Sequence, residues 1–158
     1  MTILVTVGST DFDGLVRAMD DLAPELRDEV VMQIGAGAYE PCHASAWFRY
    51  APSLEGYYDR ADVVVSHGGL GTVMEALRKG KKLVAASNPD RYDTHQDDIL
   101  GTLAEAGYLI WCRDLGRLRQ DLESVRVAAL QPYSEPECRI HLAIHEFLEQ
   151  RAPKKRRA

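Results

Sequence analysis

Two spacings of apolar residues alternate along this chain. Ile3–Val7, Glu29–Ile34, Val63–Val65 and Lys82–Ala86 are near-continuous apolar runs, which predicts strands covered on both faces. Between them Leu15, Val16, Met19 and Leu22, then Leu70, Val73, Met74 and Leu77, then Ile99, Leu100 and Leu103 recur at helical spacing. Trp47–Tyr50 reads as a short third strand, Pro52–Tyr58 opens a helix that ends before Asp62, and Tyr108–Cys112 follows Gly107 as a sixth strand. Leu115–Val125 and Glu137–Gln150 predict two closing helices. The last carries a stripe of Ile140, Ala143, Ile144, Phe147 and Leu148 that is expected to pack on its own domain. Strands alternating with helices predict the α/β class, a Rossmann-like parallel sheet sandwiched by helices.

The stretch from Ala61 to Gly80 organises the rest. A valine run passes through Ser66-His67-Gly68-Gly69-Leu70-Gly71-Thr72 directly into a helix. Bare backbone at a helix start offers free amides and the positive dipole end to a phosphate. Glu75, one turn on, can accept two hydroxyls, as a ribose diol offers, so the pattern suggests a nucleotide. The same glycines also serve close strand-to-helix packing, and Glu75 fits a solvated helix position. Neither the P-loop motif nor the dinucleotide fingerprint is present, which counts against a NAD-type dehydrogenase. Gly8-Ser9-Thr10 forms a comparable turn after the first strand, with Asp11 or Asp13 as the expected cap of the next helix. Past the fifth strand, Thr94 or Asp93 is the expected N-cap of a helix whose His95 and Gln96 can donate to and accept from sugar hydroxyls.

Composition narrows the class. The 158 residues are 46% hydrophobic and 27% charged, enough for one domain over about residues 1–150. The basic segment 151–158 reads as a disordered tail with a weak pull toward anionic lipid. A net charge of -5 argues against a nucleic-acid partner. Cys42, Cys112 and Cys138 are far apart and odd in number, which favours neither a disulfide framework nor a paired-cysteine zinc site and fits a reducing cytosol. No apolar run approaches the ~20 residues of a membrane helix, and the start lacks the features of a signal peptide.

Val7-Gly8-Ser9-Thr10, Gln33-Ile34-Gly35, Ala61–Gly69 with Thr72 and Glu75, and His95-Gln96 together resemble one family. They are similar to the C-terminal, donor-binding half of the family 28 glycosyltransferases, whose two-domain member is MurG. The resemblance spans about Ile3–Cys112. It is closer to the stand-alone form, found as the soluble subunit of the eukaryotic dolichol-linked N-acetylglucosaminyltransferase and as PssE-type subunits of bacterial exopolysaccharide enzymes.

The resemblance implies that Glu75 holds the ribose, that Gly68, Gly69, Leu70, Gly71 and Thr72 meet the diphosphate, and that His67 is among the donor-binding residues. It further implies that His95 and Gln96 read the sugar, that Gly8, Ser9 and Thr10 line the sugar-phosphate side, and that uracil lies near the backbone of Arg49-Tyr50-Ala51. It implies a GT-B enzyme of which this chain is half. A membrane-associated partner subunit would hold the polyprenyl-diphosphate-linked acceptor, with the last helix as part of the contact and the complex at the cytoplasmic face of the membrane. The implied reaction is an inverting transfer with no metal or other cofactor, its general base unassigned. Two donors compete. Arg91, in the loop before His95, would suit a glucuronate carboxylate and so favours glucuronic acid transfer in exopolysaccharide synthesis over UDP-N-acetylglucosamine. A non-catalytic nucleotide-sugar-binding subunit is the reading from another class.

Overall fold

Parallel strands bury both faces, and their side chains alternate between two separate helical layers. The computed structural model describes residues 1–89, 95–135, 137 and 139–151. Its sheet comprises β1 (Thr2–Thr6), β2 (Glu29–Gln33), β3 (Ala46–Phe48), β4 (Val63–His67), β5 (Lys82–Ala86) and β6 (Ile110–Cys112). The order is β3-β2-β1-β4-β5-β6, with every neighbouring pair parallel. Helices α1 (Asp13–Leu22), α2 (Glu55–Arg60), α3 (Leu70–Arg78), α4 (His95–Glu105) and α5 (Leu118–Val127) make the crossovers and closing layer; α6 (Ile140–Arg151) follows.

Ile3, Val5 and Val7 point into a core shared with Leu15, Val16 and Met19 of α1 and Leu118, Leu122 and Val125 of α5. Leu4, Val64, Leu83 and Ala85 point the other way, onto Tyr58, Val73, Ala76, Leu77 and Leu100. The architecture is the expected Rossmann-like α/β sandwich. Its strand order reverses between β1 and β4, so connections leave to opposite sides there and open a crevice at the carboxyl edge.

Three expectations are corrected. Neither Asp11 nor Asp13 caps α1: Phe12 is the N-cap residue, without a side-chain cap bond. Asp13 Oδ2 instead accepts the amides of Ala38 and Tyr39, both at 3.1 Å, because the loop after β2 brings two unpaired donors within its reach. The helix expected over Leu115–Val125 is a 3-10 turn, Leu115–Arg117, followed by α5, with Asp114 accepting the Gly116 amide at 2.9 Å. The apolar stripe of α6 is not buried: Ile140, Ile144, Phe147 and Leu148 are each 52–65% exposed, Ala143 is exposed with them, and so is Leu142 off the stripe. The 3.6-residue period was real, but nothing in a period says which surface covers it. The expected cap residues Asp93 and Thr94, and most of the basic tail, lie outside the described residues. Among the described residues no helix is long and apolar enough to cross a membrane.

Candidate functional site

The glycine turns after β1 and β4 meet on one imidazole. Backbone φ at Gly8 is +65°, and a Cβ there would stand 3.0 Å from His67 Cε1 and 3.5 Å from Thr72 Oγ1. On the other side, a Cβ at Gly69 would collide with Nε2 of the same ring and stand 2.8 Å from its Cε1. His67 is 7% exposed, so the ring is wedged between the two turns and holds them in register. Replacing Gly69 with alanine is therefore expected to displace His67 and reshape the turn, at a cost of roughly 1–3 kcal/mol. A thermal melt beside a nucleotide titration checks this, and unchanged stability with unchanged affinity would contradict it.

Helix α3 starts directly after Gly69, which is its N-cap residue and carries no side-chain cap. Its first bond is Val73 N–H to the Gly69 carbonyl at 3.1 Å. The amides of Leu70, Gly71 and Thr72 precede that bond and point out of the helix start toward the crevice, with the positive end of the helix dipole behind them. This arrangement suits a diphosphate.

Gln33 fixes the first turn from below. Buried to 3% exposure, it accepts the Gly8 amide at 2.9 Å and the Thr6 hydroxyl at 2.6 Å through Oε1. Its Nε2 donates to the carbonyls of Gly8 and Arg49, both at 2.6 Å. One amide side chain thus ties the β1 turn to the segment after β3, where the Arg49 guanidinium donates to the Gly37 carbonyl and pairs with Glu40 at 3.1 Å. Gly35, at φ +55°, closes the same corner, since a Cβ there would stand 2.6 Å from the Gly8 carbonyl oxygen. Thr10 turns its hydroxyl inward to the Val7 carbonyl at 2.9 Å, so it shapes the turn; Ser9 is exposed.

Past the carboxyl ends of β4 and β5, Gln96 at the start of α4 lies against Gly68, whose Cβ would meet Gln96 Cβ and Oε1 at 3.1 Å. Gln96 Oε1 accepts the Asn88 amide at 3.1 Å, and Asn88 Nδ2 donates to the Asp11 carbonyl at 3.0 Å. That chain joins the loop after β5 to the loop after β1. A cleft of about 570 Å³ opens beside it, lined by Ala86, Asn88, Gln96, Arg113 and Asp114 among others. The Arg113 guanidinium lies 4.0 Å from the centre of the Trp111 ring. Cys112 in the same wall is no nucleophile: burial first, then Asp121, pushes its thiol up to about 12.

The structure thus brings together Gly8, His67, Gly68, Gly69, Thr72 and Gln96, with Gly71 open on the first turn of α3. His95 is exposed at the start of α4, beside Gln96 but outside that hydrogen-bonded chain. Glu75 sits farther along α3, half-buried toward α2, where Tyr58 is fully buried. Burial and then the nearby Glu75 carboxylate hold the Tyr58 phenol well above its usual range. Arg91 lies outside the described residues. Gln33 stands in one of the stretches that carry the resemblance, but no role was attached to it there; for Asn88 the signal was only its polarity in the turn that follows an apolar strand.

A family model described as "Glycosyltransferase family 28 C-terminal domain" matches residues 2–150. The human "UDP-N-acetylglucosamine transferase subunit ALG13" is 33% identical over 124 residues, which is 70% of this chain and 11% of that protein. The chain spans only about a tenth of the human and mouse relatives. Among solved structures, Acinetobacter baumannii MurG superposes with TM-score 0.65 at 18% identity over 94% of this chain and 49% of that one. The solution structure of ALG13 gives TM-score 0.60 at 17% identity, covering 93% and 94%. These two likenesses establish shared fold, and the family match covers nearly the whole chain. The chain belongs to the glycosyltransferase family 28 C-terminal domain family.

Proposed function

We propose that this chain is the UDP-sugar-binding half of a two-component inverting glycosyltransferase. The observation that carries the reading is the uncapped start of α3 at the strand-order reversal, with the Gly8 turn and His67 closing the crevice beside it. An acceptor hydroxyl attacks the anomeric carbon from the face opposite the nucleotide, the bond from that carbon to the diphosphate oxygen breaks, and UDP leaves with the electron pair. Charge gathers on the diphosphate, and the amides of Leu70, Gly71 and Thr72 with the α3 dipole are placed to stabilise it without reorganising. Glu75 takes the ribose hydroxyls, and Gln96 and His95 face the sugar. The substrate is the nucleotide sugar itself, and the step needs no metal. The base that takes the acceptor proton is not assigned to a residue of this chain.

The donor is UDP-N-acetylglucosamine or UDP-glucuronate. The relatives' names favour the first. The second rests on Arg91, whose cation would meet a carboxylate in a bacterial exopolysaccharide pathway. Calorimetric titration with UDP, UDP-N-acetylglucosamine and UDP-glucuronate, beside Arg91→Ala, separates them: a loss confined to UDP-glucuronate supports the second, and equal affinities in wild type and variant remove it.

The acceptor, a polyprenyl-diphosphate-linked sugar, belongs to a membrane-associated partner subunit that completes the GT-B cleft and holds this chain at the cytoplasmic face of the membrane. The exposed apolar residues of α6 support a contact there, since a helix with that much uncovered apolar surface is a typical docking element. Ile144→Asp combined with Leu148→Asp is expected to leave UDP binding intact while this chain no longer co-sediments with membranes carrying the acceptor-binding subunit. Undiminished co-sedimentation would remove α6 from the interface. A chain that binds donor yet never supports transfer in the partner's company would instead be a non-catalytic nucleotide-sugar-binding subunit.

A further inference from the structure

A second cluster of reactive side chains lies at the opposite edge of the sheet. Helix α1 runs back from the carboxyl edge and brings Asp20 to the amino edge, where the segment before β3 returns and the Ser45 amide reaches the Val30 carbonyl at 2.9 Å. Asp20 is completely buried. Its Oδ1 accepts the amides of His43 and Ala44 at 2.8 and 3.0 Å, and Oδ2 accepts the Tyr39 hydroxyl at 2.7 Å and the Cys42 amide at 2.9 Å. The carboxylate is thereby held in one orientation, with Oδ2 turned toward two side chains that reach solvent.

Those side chains are Cys42 and His43. Cys42 Sγ is 3.5 Å from Asp20 Oδ2 and 3.4 Å from His43 Nδ1, and His43 Nδ1 is 3.4 Å from the same Oδ2. The three atoms form a nearly equilateral triangle. A tetrahedral zinc with bonds of about 2.0–2.3 Å has ligand-to-ligand edges of about 3.3–3.8 Å, so the triangle has the size of one face of such a site. Hydrogen bonding accounts for two of its sides, with the thiol and a protonated Nδ1 each donating to Oδ2, and leaves the Sγ–Nδ1 side without a proton of its own. A cation serves all three. The ligand types also agree: thiolate, imidazole and carboxylate are the zinc set, and are not the oxygen-only set of magnesium or calcium.

We propose that Asp20, Cys42 and His43 bind one thiophilic divalent cation of the zinc type. Binding replaces the thiol proton, which passes to solvent, with a metal–sulfur bond; His43 is neutral and binds through Nδ1, and no oxidation is involved. Tyr39 keeps its hydrogen bond to Oδ2 and acts as a positioning residue. The exposed side of His43 and Cys42 leaves the fourth position to water. The role is structural: the cation fastens the loop after β2 to α1, and Ala36 of that loop donates to the Thr10 carbonyl at 3.0 Å in the β1 turn. The site is invisible to a spacing search, because the carboxylate stands 22 residues before the cysteine.

The test uses the full chain with Co²⁺ as a spectroscopic probe and Zn²⁺ by calorimetry. One equivalent of Co²⁺ is expected to bind with a thiolate-to-cobalt charge-transfer band and visible bands of tetrahedral intensity. Cys42→Ser should abolish the charge-transfer band, and His43→Ala should weaken Zn²⁺ binding by at least about tenfold. Both side chains are surface groups, and circular dichroism verifies that the variants fold. Tyr39→Phe should weaken binding by about 10–100-fold with the band retained. Cys138→Ser should change nothing. Absence of a charge-transfer band in the wild type, its persistence in Cys42→Ser, or its loss in Cys138→Ser would overturn the proposal.

Discussion

Glu75→Ala is expected to weaken UDP binding by roughly 30–150-fold, a loss of about 2–3 kcal/mol, while the chain stays folded. A carboxylate that accepts two ribose hydroxyls contributes charge-assisted hydrogen bonds, and these are the strong kind in a partly desolvated crevice. Alanine removes both at once and leaves the diol only water. The helix itself tolerates the change, since alanine is the best helix former and Glu75 makes no cap. The Tyr58 phenol beside it loses a repelling negative charge and is expected to titrate lower than in the wild type, though burial still holds it above the ordinary tyrosine value. Calorimetry with UDP, paired with thermal melting, reads both quantities. Unchanged affinity would show that Glu75 is only a half-buried helix residue beside Tyr58, with no ligand role.

Asp20→Asn carries the largest expected effect on stability. Asp20 is a buried anion satisfied by four hydrogen-bond donors besides the Cys42 thiol, from a loop with no regular secondary structure of its own. Burial by itself would raise its pKa. The donated bonds of the Cys42 amide, the Tyr39 hydroxyl and the His43 amide outweigh that and bring it down to about 2 from 3.8. An asparagine of the same shape turns an NH₂ group toward backbone N–H donors, so at least one buried donor pair is left facing its own kind. The expected cost is about 3–4 kcal/mol. For a chain of this size that lowers the melting temperature by roughly 6–15 °C.

The sign of the pH dependence follows from the depressed pKa. The stabilising ionised form is complete above about pH 4, the unfolded value, and is lost as pH falls toward about 2. The wild type is therefore expected to lose stability steeply over that interval, and Asp20→Asn should show a shallower decline there from a lower starting point. Melting in metal-free buffer across pH 2–7 measures both slopes. Parallel curves for the two proteins would remove Asp20 as the anchor.

Much of the fold was legible because the physics that writes it is local. Valine runs at β4 and the leucine spacing of α3 fixed the type of each element, and parallel pairing follows from alternating strands and helices. The turns of the site were legible for the same reason, since Gly8, Gly68 and Gly69 mark strand ends. What escaped was long-range satisfaction of polar groups. Asp13 looked like a helix cap, but its oxygen serves Ala38 and Tyr39, 25 and 26 residues away. Gln33 looked like the end of a strand, yet it clamps Gly8 to Arg49. Asp20 drew no attention because its partners are the backbone amides of a distant loop, which carry no sequence signature. Gly69 was ambiguous between packing and binding, and the position of His67 shows that it serves close approach whether or not a ligand is bound.

A donor-binding half must contact its nucleotide sugar at the β1–β4 crevice. Backbone amide shifts recorded by NMR during titration with UDP-N-acetylglucosamine, and then with UDP-glucuronate, locate that contact residue by residue. The largest shifts are expected at Gly8, Gly68, Gly69, Leu70, Gly71 and Thr72, with smaller ones at Glu75, His95 and Gln96, and none at Cys42 or His43. Saturable shifts confined to some other surface, with the α3 start unmoved, would contradict the placement of the donor at the β1–β4 crevice.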